Sequence, residues 1–137
     1  MQLRARDVAR VTGLSYRQID YCLRSGVLRP VSDSRGSGLP REFGLRGLLA
    51  LSLLREVLRA GIPARVVGPA LRLVQRGSGL PSLARLGGAV IWTDGHKAVL
   101  VREGRVDSSL PGTITYALNV GAVTARLRTR LEKNNTA

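Results

Sequence analysis

Between Ser15 and Gly26 the beginning, the facing and the end of one short helix are all specified by residue type, and this limits what the flanking chain can do. Ser15 carries the hydroxyl that caps a helix N-terminus by accepting from a backbone N–H one turn on. Ile19 and Leu23 are four apart and share a face, with Cys22 beside them. Gly26 stands where a helix end takes a left-handed residue, and Val27-Leu28-Arg29-Pro30 reads as a short extended segment stopped by proline. Upstream, Arg6 to Thr12 places Val8, Ala9 and Val11 on another short helix, with Gly13-Leu14 as the turn between. Two such helices bury their apolar sides against each other. Tyr16, Arg17, Gln18, Asp20, Tyr21 and Arg24 are then left on the outward or flanking faces.

Further along, Ser32 to Pro40 is built of turn formers, and it separates Leu28–Val31 from Arg41-Glu42-Phe43, two runs that can pair as small strands around a wing-like loop. Leu45 to Ala60 fits a strongly apolar helix closed by Gly61, and Pro63 opens another through Val66, Val67, Leu71 and Val74. Gly77-Ser78-Gly79-Leu80-Pro81 breaks the helical pattern. Beyond it the texture becomes strand-like: Ala89 to Thr93 and Lys97 to Arg102 flank Asp94-Gly95, a hairpin signal, and Thr113 to Val120 alternates. Val123, Leu127 and Leu131 then fall four apart on a last helix, from about residue 122 to residue 133. The expected fold is mainly α with small β: a helix-turn-helix with a wing and a helical pair over residues 1–76, a linker at 77–87, and a β-meander with a C-terminal helix over 88–137.

Charge selects the partner class. Lys and Arg number 22 against 9 Asp and Glu, a net +13, and a polyanion is the natural counterpart of such an excess. Nucleic acid leads and an anionic membrane surface follows. No apolar run reaches the roughly 18 residues a membrane span needs, so the chain is expected in the cytoplasm, with the nucleoid. The single cysteine, Cys22, allows no intrachain disulfide and no cysteine-ligated metal site within one chain, and it reads as a small buried apolar group. His96, the only histidine, lies beside a turn, and no serine, cysteine or acid sits in a nucleophile or paired acid-base context. No enzyme activity, cofactor or metal is expected.

The stretch Ala5 to Leu28 closely resembles the opening of MerR-type winged-helix regulators, and the likeness continues through Arg41-Glu42-Phe43 into the helix after it, about the first 75 residues. In that family a recognition helix with an early arginine and an aromatic one turn on is followed by a glycine, an apolar pair, a basic wing and an Arg-x-aromatic strand. The resemblance implies a double-stranded DNA reader that acts in transcription and distorts promoter DNA, with RNA polymerase as a further partner. It points to Ser15, Tyr16, Arg17, Gln18, Asp20, Tyr21, Arg24, Arg35 and Arg41 as the DNA-binding set. Arg17 suits a bidentate pair to guanine and Gln18 one to adenine, whereas Tyr21 and the wing arginines Arg35 and Arg41 suit phosphates. Asp20 departs from the arginine that many relatives carry, and a carboxylate there needs a cationic neighbour such as Arg17 or Arg24.

The family's long coiled-coil helix is interrupted here by residues 77–88. A tail of about fifty residues would expose its apolar stripe as a monomer. A two-fold dimer is therefore expected, with Leu118, Val120, Val123, Leu127 and Leu131 at the interface, binding a near-palindromic site. Two rivals stand beside this reading. One is an excisionase-like or architectural DNA-binding protein. The other is a regulator whose C-terminal unit senses an effector ligand, with Trp92 and Tyr116 as its large aromatic contacts.

Overall fold

The computed structural model describes residues 3–29, 42–76, 86–102, 105–106 and 110–136. In chain order the elements are β1 (Leu3–Arg4), α1 (Ala5–Thr12), α2 (Tyr16–Arg24), β2 (Glu42–Phe43), α3 (Leu45–Arg59), α4 (Ala64–Gln75), β3 (Val90–Thr93), β4 (Ala98–Arg102), β5 (Arg105–Val106), β6 (Tyr116–Asn119) and α5 (Val120–Thr136). The chain is mixed α and β, with five helices, a two-stranded ribbon and a small antiparallel sheet among the described residues.

The centre is α3. Every residue from Gly47 to Leu54 is buried, as is Val57, so the middle two turns of this helix have no exposed face. A helix that is apolar all round is stable in water only when neighbours enclose it. Here α4 packs along it, α1 touches it, and α5 closes another side. Buried residues from both ends of the chain, Val8 to Val74 and Leu86 to Leu131, form one contiguous core. The break in texture at residues 77–87 therefore does not divide the apolar interior.

The larger sheet has the order β5-β4-β3-β6, antiparallel throughout. It departs from the expected meander. After β3, β4 and β5 run as neighbours, the chain returns and lays β6 beside β3, in the register Ile91↔Leu118. Ile91, Leu100 and Leu118 thereby come onto one face and enter the core, and β4 lies against α4. Asp94-Gly95 makes the expected hairpin, with Gly95 at φ +94 and the Asp94 carboxylate accepting from the backbone N–H groups of His96 and Lys97, each at 2.9 Å. Its other oxygen accepts from the Gly112 N–H at 2.9 Å, tying the hairpin to the approach to β6.

A second departure concerns β2. It pairs with β1 in the register Leu3↔Phe43, so the strand that follows the expected wing is joined to the N-terminus. Its expected partner, Leu28–Val31, contributes no strand among the described residues, and the loop expected as a wing, Ser32 to Pro40, lies outside them.

The five residues expected between two chains are covered within one. Leu118, Val120, Val123, Leu127 and Leu131 are all buried, the last four on the side of α5 that packs against α1 and α3. The stripe is buried within the single chain. Its cover is the chain's own N-terminal half, which a helical pattern cannot reveal because it says nothing about which distant element lies opposite.

Candidate nucleic-acid interface

Local chemistry fixes α2 at both ends. Ser15 is its N-cap and forms a complete capping box: the Gln18 backbone N–H donates to Ser15 Oγ at 3.1 Å, and the Ser15 N–H donates to Gln18 Oε1 at 2.9 Å. The two orphan donors at the helix start are satisfied reciprocally. Gly13, at φ +79, makes the turn from α1, and a β-carbon there would lie 2.5 Å from Arg55 Nε, so α3's arginine crosses directly over it. At the other end the Ser25 N–H donates to Tyr21 O at 2.9 Å, and Gly26 takes φ +79. Both glycines hold a conformation that other L-residues rarely adopt.

The chain leaving α2 is held by α4. Arg72 Nη1 donates to Gly26 O at 2.9 Å, and Gln75 brackets Arg29, accepting its N–H at 3.1 Å while donating to its carbonyl at 2.6 Å. These contacts span more than forty residues. They turn a pair of short helices into a rigidly mounted unit, which a recognition element requires.

Ile19 and Cys22 form the buried side of α2, and Leu23 is half-buried against the same core. The outward side carries Tyr16 and Tyr21, 60% and 62% exposed, together with exposed Arg17, Gln18 and Arg24. Tyr21 is therefore a surface group, not packing for α1. Asp20 finds the cationic neighbour it needs in Arg24, with Nε to Oδ2 at 3.0 Å one turn on. Among the described residues Arg17 has no such carboxylate pairing, and it stands exposed in the first turn. Desolvation pushes the Cys22 thiol up to about 11, so at neutral pH it is a protonated apolar filler, as its sequence context indicates.

One expectation about Gln18 changes. A bidentate contact to adenine uses both the amide oxygen and the amide nitrogen, but here Oε1 is engaged by the Ser15 N–H. With the cap intact one acceptor site of Gln18 Oε1 is already used. Ser15 likewise uses its oxygen as an acceptor inside the cap. Both residues shape the helix first. Arg35 and Arg41 lie outside the described residues.

A groove of about 460 Å³ runs along the flank of α2, lined by Arg17, Gln18, Tyr21, Cys22, Leu58, Pro63, Ala64 and Arg65. It brings in Arg65, which sequence reasoning missed. Pro63 is the N-cap of α4 and supplies no side-chain acceptor, so the first backbone N–H groups of that helix are uncapped beside the groove. Arg65 sits in the same first turn. A cation there opposes the helix dipole, but Arg6, Arg17 and Arg46 hold the same place in their helices, so the sequence carried no signal that set Arg65 apart. Arg17, Tyr21, Arg65 and the start of α4 together make a cationic, hydrogen-bond-donating edge suited to phosphate oxygens.

Among the described residues no group of three or more His, Cys, Asp and Glu is placed to hold a metal, and no helix is long and apolar enough to cross a membrane. His96 is an exposed turn residue whose backbone N–H is held by Asp94.

No protein-family model matches the chain. It is similar, however, to uncharacterized HTH-type transcriptional regulators of Mycobacterium bovis and Mycobacterium tuberculosis, at 30% identity over 76 residues, or 54% of this chain and 34% of each relative. The chain thus matches about a third of the length of these curated relatives, and the likeness is to a helix-turn-helix regulator in general terms.

Proposed function

We propose that this chain is a sequence-specific double-stranded DNA-binding protein that regulates transcription, with α2 as its recognition helix. The observation that carries the reading is the outward side of α2: Tyr16, Arg17, Gln18 and Tyr21 stand exposed on a helix whose two ends are fixed by a capping box and by Gly26. A nine-residue helix so mounted fits the major groove of B-form DNA end-on. Arg17, in its first turn, reads a guanine edge. Tyr21 and Arg65 grip phosphate on the flank, helped by the open N–H groups of α4. The names of the mycobacterial relatives and the +13 charge support the same reading.

The finer assignment follows the MerR-type resemblance: a wing around Ser32 to Pro40, with Arg35 and Arg41 on the DNA backbone, and a dimer on a near-palindromic site that it bends or untwists. Selection of bound sequences from random duplex DNA tests the whole, since it returns a motif, its symmetry and its half-site spacing together. The expected product is a two-fold motif. Arg17→Ala should then relax one base position by about 1–3 kcal/mol. Arg65→Ala should weaken all sequences alike and lower the salt slope by about one phosphate contact. Enrichment of no motif, or equal effects from both variants, overturns the assignment. Cooperative coating of tandem sites by many chains would move it to the excisionase-like class.

A further inference from the structure

With the α5 stripe committed to the chain's own core, the surface that meets a second chain has to be sought elsewhere. From Ser108 to Ala125 the sequence carries no charged side chain, in a protein with 22 Lys and Arg. Part of that run is uncharged because it is core. The rest is not: Thr113, Ile114, Thr115, Ala117, Asn119 and Ala122 are all exposed, and Ile114 is 44% exposed, which is large for an isoleucine. The middle of this surface is β6, which among the described residues pairs only with β3 and so forms an edge of the sheet. Every second residue of an antiparallel edge directs its N–H and C=O away from the sheet.

Unprotected edges are rare, because they pair with whatever strand they meet; proteins blunt them with lysine, proline, bulges or very short strands. The opposite edge follows that rule. There β5 has two residues, and the Arg102↔Arg105 pairing puts two cations at its end. Among the described residues β6 itself carries no lysine or proline, and its register with β3 is regular over four residues. The two edges of one sheet are treated in opposite ways.

We infer that β6 is where a second copy of this chain pairs, edge to edge and antiparallel across a two-fold axis, continuing the sheet through a dimer and covering Ile114. The occupant is a copy, on grounds of charge. Two chains of +13 repel over most of their surfaces, and the uncharged β6 edge lets them meet without apposing cations. An acidic partner would gain nothing at this edge. A two-fold strand pair is also self-complementary, since each copy supplies both donors and acceptors. Asn119 Oδ1 accepts from the Ala122 N–H at 3.0 Å, capping α5 directly after the strand, and α5 packs on α1. Pairing at β6 would therefore fix the relative setting of the two α2 helices. This deepens the proposed function by naming the partner that a two-half-site reading needs.

Sedimentation velocity of the full chain across nanomolar to high micromolar concentration tests it, alongside Ile114→Lys and Ala117→Lys. Both positions are exposed, so each variant should keep the thermal midpoint of the parent. The expected result is a dimer whose dissociation constant rises by about tenfold or more in each variant. Amide exchange over residues 114–118 should slow as protein concentration rises, and this measurement stands even if one variant fails to fold. A chain that stays monomeric throughout, a dimer indifferent to both lysines, or concentration-dependent protection on another element alone overturns the inference. A monomer that still selects a DNA motif sinks the pairing and spares the DNA reading; a β6-dependent dimer with no duplex preference does the reverse.

Discussion

Helices α2 and α5 are both amphipathic, and their apolar sides are equally closed to solvent, yet they are completed in different ways. In α2 the buried pair Ile19 and Cys22 faces α1, which is adjacent in sequence and connected through the single turn Gly13-Leu14-Ser15. In α5, Val123, Leu127 and Leu131 bury against α1 and α3, elements separated from it by most of the chain. Cross-links run in the same direction: Arg130 Nη1 donates to Val11 O at 3.4 Å across 119 positions, and Arg126 lies 4.0 Å from Glu56. An apolar stripe announces that something will cover it. Only for α2 does the neighbouring sequence say what.

The comparison breaks most visibly at Leu127. If α5 is part of the same core as the helix-turn-helix, Leu127→Ala should cost about 2–5 kcal/mol and lower one cooperative unfolding transition monitored at both ends of the molecule. Retention of a folded N-terminal half after the C-terminal half has melted, seen by residue-resolved amide exchange, would show two cores instead. Next in size is Gly13→Ala. The left-handed backbone alone makes it cost about 1–2 kcal/mol, and the displaced Arg55 adds to that; denaturant titration should show the loss. Ser15→Ala removes one half of the capping box and should cost about 1 kcal/mol. The backbone N–H that holds Gln18 Oε1 survives the change, so base preference should stay as in the parent, which sequence selection on the variant would check.

The smallest effect is the acid limb of stability. Backbone donors from His96, then Lys97, and also Gly112, hold the Asp94 carboxyl below the ordinary carboxylate range. Its folded-state value lies under its unfolded one, so its contribution is present above roughly pH 4 and is lost as pH falls through the folded value. Asp94→Asn should flatten the pH dependence of the melting temperature below pH 4 while leaving the α2 region untouched. An unchanged acid limb would remove Asp94 from that account.

The candidate site was largely legible because its determinants are local. Capping at Ser15, the turn at Gly13, the stop at Gly26 and the outward set from Tyr16 to Arg24 follow from residues within a few positions of each other. The Asp20–Arg24 pair was legible for the same reason. Arg65 was not, because its place beside Arg17 and Tyr21 depends on how α3 and α4 fold back. Gln18 has a type that suits a base contact, and its oxygen is also engaged by the cap, which the spacing from Ser15 to Gln18 alone makes available. The charge distribution agrees with the division of labour, since 14 of the 22 Lys and Arg lie in residues 1–76.

By itself the sequence determined where helices and turns begin and end, which side of each is apolar, and the sign of the partner's charge, because those follow from backbone preference, capping and periodicity over a turn or two. Tertiary structure alone decided that α5 closes over α1 and α3, that β2 joins β1, and that β6 crosses to lie beside β3. Burial free energy depends on apolar area removed from water and not on which element removes it, so several pairings satisfy the same stripes. The choice among them is made by the whole chain packing at once.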